Sequence, residues 1–89
     1  HTHIPTNDTR ILENGTAYQT DAGMCGDYDS VIGMNKENSL NKFLKKDSLK
    51  HFPAKGEATL SGVIVDCDVK TGLAKEVTSY IFGGHLKNT

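Results

Sequence analysis

With 89 residues the chain is at most one small domain, and its core must be thin. Hydrophobic residues make up 36% and charged residues 24%, the balance of an ordinary folded protein and not of a disordered tail. A net charge of −1 lacks the cationic surplus that replaces counterions on a nucleic-acid polymer, and no apolar run approaches the roughly 18 residues of a membrane span.

The opening residues do not read as a signal peptide, and none is expected. Two cysteines, Cys25 and Cys67, fit no zinc ribbon or redox motif. They are expected to be reduced and structural, in a cytoplasmic protein. The first residue is His1 and not Met, so the chain reads as part of a longer translation product.

In chain order, His1 to Asn7 is polar, interrupted by Pro5, and reads as loop. Arg10 to Leu12 is expected to be a short strand. Glu13-Asn14-Gly15 carries turn chemistry, because Asn and Gly tolerate positive φ. Thr16 to Thr20 is rich in strand formers and should pair back onto the preceding segment. The stretch with Gly23, Gly26, Gly33, Asp21, Asp27 and Asp29 reads as an irregular loop.

One helix is expected at about 36–46. Asn35 suits the N-cap, Glu37 falls in the first turn, and Lys42, Lys45 and Lys46 fall toward the end that favours cations. Leu40, Phe43 and Leu44, at i, i+3 and i+4, make one apolar stripe. A connector with Pro53 follows. The last third reads as a hairpin over about 58–82, with its turn at Asp68 to Gly72. Val77, Ser79 and Ile81 lie on one face of its second strand, and Thr78, Tyr80 and Phe82 on the other. Gly83 to Thr89 is expected to fray.

His1-Thr2-His3 is the leading candidate for chemistry. In an extended backbone, residues i and i+2 project to the same side. Two imidazoles so placed can serve one metal ion, or two neighbouring ions as phosphoester hydrolysis requires. By spacing alone the motif is weak. Asp66-Cys67-Asp68 and Asp27-Tyr28-Asp29 alternate carboxylates but sit where Asp is common in turns and polar loops. His51 and His85 are expected to be solvated.

The run Gly15-Thr16-Ala17-Tyr18-Gln19-Thr20-Asp21-Ala22-Gly23-Met24, then Tyr28-Asp29-Ser30-Val31-Ile32-Gly33-Met34, resembles the YmdB-like branch of the calcineurin-type metallophosphoesterases. Lys36-Glu37 leading into Lys42-Phe43-Leu44, Gly62-Val63-Ile64-Val65-Asp66 and Thr71-Gly72 are similar too. The likeness runs from His1 to about Tyr80. Cys25, Asp27 and the tail from Phe82 depart from the family pattern.

The resemblance implies an α+β fold, mainly antiparallel strands with one helix and a C-terminal hairpin, as part of a four-layer αββα sandwich. Residues 1–89 would be the C-terminal part of such a domain. It implies a dinuclear centre of divalent metal, iron or manganese, acting on phosphodiesters such as cyclic nucleotides. His1 and His3 carry over as metal ligands. The other ligands would lie in an earlier part of the parent chain, so this chain is expected to be inactive alone.

An alternative reading is a non-enzymatic oligomerisation or interaction module. Both readings expect a partner, either another copy of the chain or the missing N-terminal part, because a piece of a sandwich exposes apolar surface.

Overall fold

The computed structural model describes residues 1–44 and 52–86. His51, Lys45 and Lys46 lie outside the described residues. Strands β1 (Arg10–Leu12) and β2 (Thr16–Tyr18) form an antiparallel pair with Ile11 opposite Ala17. Their connection uses the expected turn residues, with Asn14 at φ 76° and Gly15 at φ 89°.

The loop that follows is not wholly irregular. Gly26–Asp27 forms a two-residue strand, β3, opposite Thr59 and Ala58. Two residues carry no periodic pattern, so this pairing is created by the tertiary fold. Helix α1 runs Lys36–Phe43. Asn35 caps it, its side chain accepting from the Asn38 backbone N–H at 2.8 Å. The described helix ends at Phe43 with Leu44 as its C-cap residue, and positions 45–46 of the expected span lie outside the described residues.

β4 (Ala58–Cys67) and β5 (Ala74–Phe82) make the hairpin, and β3-β4-β5 is one sheet. Asp68 organises the connection, its Oδ1 accepting from the backbone N–H of Lys70 and Thr71. The ribbon meets the first hairpin at its tip, where the Ala74 N–H donates to the Gly15 carbonyl at 2.9 Å.

Gly84–Leu86 departs from the expected frayed tail. It forms one 3-10 turn seated against the start of β4, with the Thr59 hydroxyl donating to the Gly83 carbonyl at 2.9 Å. The polar anchor, and not apolar content, fixes this segment, which is why hydropathy misses it. His85 is exposed, as expected, and its Nε2 lies 3.7 Å from Asp27 Oδ1.

The core is unusual in kind. Among the described residues no hydrophobic side chain is buried; the buried ones are Asp27, Asn38, Thr59 and Ser61. Among the described residues nothing covers the stripe of Leu40, Phe43 and Leu44, and Phe43 is 82% exposed. Both cysteines are free and exposed. The molecule extends 57 × 26 × 19 Å with a radius of gyration of 17.1 Å. A compact chain of this length would have about 12 Å.

Candidate functional site

His1, Thr2 and His3 sit on a loop that is tied down along most of its length. The backbone there is not extended as the i, i+2 argument supposes. His3 adopts φ 64°, in the left-handed region. The two imidazoles nonetheless come together, stacked with centroids 4.3 Å apart and planes 15° apart.

Residues from the run Gly15 to Met34 do the tying. The Met24 N–H donates to the His3 carbonyl at 3.1 Å. The Thr6 N–H donates to the Asp21 carbonyl, and the Asp21 N–H returns to the Thr6 hydroxyl. The Thr2 hydroxyl donates to Asp21 Oδ2, while Oδ1 accepts from the Gly23 N–H at 2.8 Å. The Thr2 hydroxyl first, and then the Gly23 amide, hold the Asp21 carboxyl below its ordinary range.

Asp8 fastens the other end of the loop. Its carboxylate accepts from the hydroxyls of Thr20 and Thr6 and from the Thr20 N–H. The Thr20 hydroxyl is the largest cause of a pKa far below the usual carboxylate range. Each of these carboxylates is thus held ionised as an acceptor for loop donors.

Tyr28 is the hub. Its hydroxyl oxygen accepts from the Met24 N–H at 2.8 Å and lies 2.9 Å from the Met24 carbonyl, 3.4 Å from the His3 carbonyl and 3.1 Å from Ser61 Oγ. One phenol therefore joins the histidine loop to buried Ser61 on β4. Asp27, expected in a polar loop, is buried. Asp27 Oδ1 accepts from the Asp29 N–H and Oδ2 from the Gly56 N–H, closing two loops on one carboxylate. Asp29 instead pairs with Lys36 at the start of α1, both oxygens at 2.9 Å, which lowers its pKa and raises that of Lys36.

His3 makes one more contact. Its Nδ1 is 3.2 Å from the carbonyl oxygen of Ile32. Beside it, Val31, Ile32, Met34, Leu40 and Phe43 line an apolar cleft of about 610 Å³. Among the described residues no group of three or more His, Cys, Asp or Glu converges as a complete ligand set. Asp66 and Asp68 stand at the far end of the ribbon, at the end of β4 and in the turn beyond it. Two imidazoles are suitable donors for a transition metal but only part of a site.

This arrangement coincides with a family pattern. The model of the YmdB-like protein family matches residues 1–80. The chain belongs to the YmdB-like family. It is 44% identical over 77 residues to a 2′,3′-cyclic-nucleotide 2′-phosphodiesterase of Bacillus subtilis (strain 168), covering 86% of this chain and 29% of that protein. The chain thus spans less than a third of that relative's length.

Two crystal structures share the fold. One is a phosphatase from Mycoplasma pneumoniae, with TM-score 0.82 and 38% identity over 93% of this chain and 30% of that one. The other is a hypothetical protein from Thermus thermophilus, with TM-score 0.79 and 34% identity over 96% and 33%. The small α+β unit of antiparallel strands and one helix is therefore a phosphoesterase-family piece.

The residues that position the histidines, namely Thr2, Asp21, Met24, Tyr28 and Ile32, were not legible as site residues. They act through backbone groups, single hydroxyls and one carboxylate, which leave no spacing signature. The one available signal was the density of Thr, Asp and Gly between positions 15 and 33.

Proposed function

We propose that this chain supplies His1 and His3 to the dinuclear metal centre of a phosphodiesterase whose other ligands come from the rest of the domain. The observation that carries this reading is the stacked pair of imidazoles. An imidazole binds a metal in the plane of its ring. Two planes inclined by 15° and stacked at 4.3 Å do not converge on one ion at a bond length of about 2.1 Å. They suit two ions side by side, the spacing of two-metal hydrolases. Such a centre, when bound, supplies an activated water and neutralises phosphoryl oxygen charge. Thr2, Asp21, Met24 and Tyr28 hold the imidazoles in place for it.

Iron or manganese suits a site of imidazole and carboxylate donors. The activity of the Bacillus subtilis relative supports a cyclic nucleotide as the substrate class. The chain alone is inactive, because two ligands neither retain two ions nor orient a water.

The test uses the complete gene product, measured for bound iron and manganese and for turnover of a chromogenic phosphodiester. His1→Ala and His3→Ala should each lower metal content, and should cost more activity than the roughly 10–100-fold typical of outer-shell partners. Unchanged metal content and rate in His3→Ala would sink the reading.

A second role rests on a different observation. On one face of the ribbon Leu60, Ile64, Tyr80 and Phe82 are all exposed. This face supports the pairing of the chain with the remainder of its domain or with another copy, as an uncovered apolar sheet face does.

A further inference from the structure

We infer that Ile32 is a positioning residue: its strained backbone aims its carbonyl at His3 Nδ1 and so fixes the tautomer that presents Nε2 as the metal-binding nitrogen. The inference deepens the metal reading above and rests on it.

Val31 and Met34 exchange two backbone hydrogen bonds, at 3.0 and 2.9 Å. Between them Ile32 and Gly33 sit at φ 47° and 96°. This is a two-residue turn with both central residues at positive φ. Asn-Gly is the favoured sequence there, because Asn and Gly tolerate that backbone. Isoleucine is among the residues least suited to it: its branched Cβ crowds the backbone. Packing does not force the choice, since the side chain is 56% exposed.

The turn is enforced from its flanks. Ser30 Oγ accepts from the Gly33 N–H at 2.8 Å and donates to the Asp27 carbonyl at 2.5 Å. The Gly33 carbonyl accepts from the Ala54 N–H at 2.9 Å. An over-determined residue of this kind is how strain persists beside a functional group.

What the conformation achieves is one contact. The Ile32 carbonyl oxygen lies 3.2 Å from His3 Nδ1. A carbonyl can only accept, so Nδ1 carries the proton and Nε2 keeps its lone pair. An unconstrained neutral imidazole prefers the opposite tautomer. The His3 ring is thus set by a backbone oxygen, in the manner of outer-shell partners at metal-binding histidines.

The test reads ring nitrogens in the complete gene product, metal-free, labelled with 15N-histidine and held at about pH 8, above the ordinary histidine range. Long-range proton–nitrogen spectra should show His3 protonated at Nδ1 and bare at Nε2. Ile32→Gly keeps the turn and should keep that tautomer. Ile32→Pro forbids positive φ and should release it, with Mn2+ affinity falling about 10–100-fold. Should Ile32→Pro fail to fold, Ser30→Ala loosens the same turn and should move both readouts in the same direction.

An Nε2–H tautomer in the unsubstituted protein overturns the inference. So does an unchanged tautomer in folded Ile32→Pro or, where that variant does not fold, in Ser30→Ala. The tautomer is read without metal. Failure of the metal reading, seen as no Mn2+ bound by the unsubstituted protein, is therefore told apart from failure of this one.

Discussion

The two ends of this molecule are built on opposite terms. Around His1–His3, the order comes from hydrogen bonds: Tyr28, Asp8, Asp21 and Asp27 each satisfy two or more donors or acceptors, and their partners are mostly backbone. Along the β4–β5 ribbon, the side chains that should supply burial energy face outward. Leu60, Val63, Ile64, Val65, Tyr80 and Phe82 are all exposed. A strand with apolar residues on both faces belongs inside a sheet covered on both sides. Local polar bonding sets the geometry of the site, while the apolar cover that would stabilise the ribbon is not supplied by the described residues.

The largest effect should therefore come from cover. Phe82→Lys and Ile64→Lys in the isolated chain should convert associated species into smaller ones with no loss of strand signal, measured by sedimentation and circular dichroism. In the complete gene product the same changes should be destabilising by about 2–5 kcal/mol, because they would bury an unpaired charge. A complete protein indifferent to both would show that the ribbon's outer face stays wet, and the contrast between the two ends would fail.

Next in size is the seat of the 3-10 turn. Gly84 lies at φ 64°, and a Cβ there would meet the Thr59 hydroxyl and come within 2.9 Å of the Ala58 carbonyl carbon. Backbone cannot step aside as a side chain can. Gly84→Ala should cost about 2–3 kcal/mol in urea unfolding. A loss below about 0.5 kcal/mol would mean that the turn is not seated on β4.

Tyr28→Phe probes the polar end with a smaller change. It removes the hydroxyl and leaves the Met24 N–H with only the His3 carbonyl, so a cost of about 1–2 kcal/mol follows. Metal affinity should fall as well, since the His3 carbonyl loses a neighbour. A stability loss with unchanged metal affinity would assign Tyr28 to packing against β4 alone.

The sequence was legible where a pattern is local. The Asn14-Gly15 turn, the Asn35 cap and the hairpin about the Asp68 to Gly72 turn each rest on a residue type at its own position or on period-2 alternation. The family followed from a long ordered run of residues. Illegible were features made by distant partners: β3, which exists because Thr59 passes beside Gly26, the seat of His85 near Asp27, and the left-handed backbone of His3 and Ile32. Isoleucine at positive φ runs against its own propensity, so local reasoning must miss it. Such failures are expected at sites where strain is put to use.

The smallest predicted effect tests whether the carboxylates of the loop truly differ from surface ones. Asp8 and Asp21 have folded pKa values below their unfolded values near 3.9. Their stabilising contribution is then present in full above about pH 4, and it is lost as pH falls from there through the folded values. The unfolded chain takes up protons first, so acid favours unfolding. Asp21→Asn removes one of these titrations while keeping an oxygen to accept from Thr2. The melting temperature of the complete protein should fall less steeply below pH 4 in the variant than in the unsubstituted chain, with little difference at pH 7. Lys70→Ala on the ribbon turn, distant from both carboxylates, should leave that slope unchanged. Equal slopes for Asp21→Asn and the parent would mean that the Thr2 and Gly23 bonds are no stronger than those water offers. The rigidity of the histidine loop would then rest on Tyr28 and the backbone alone.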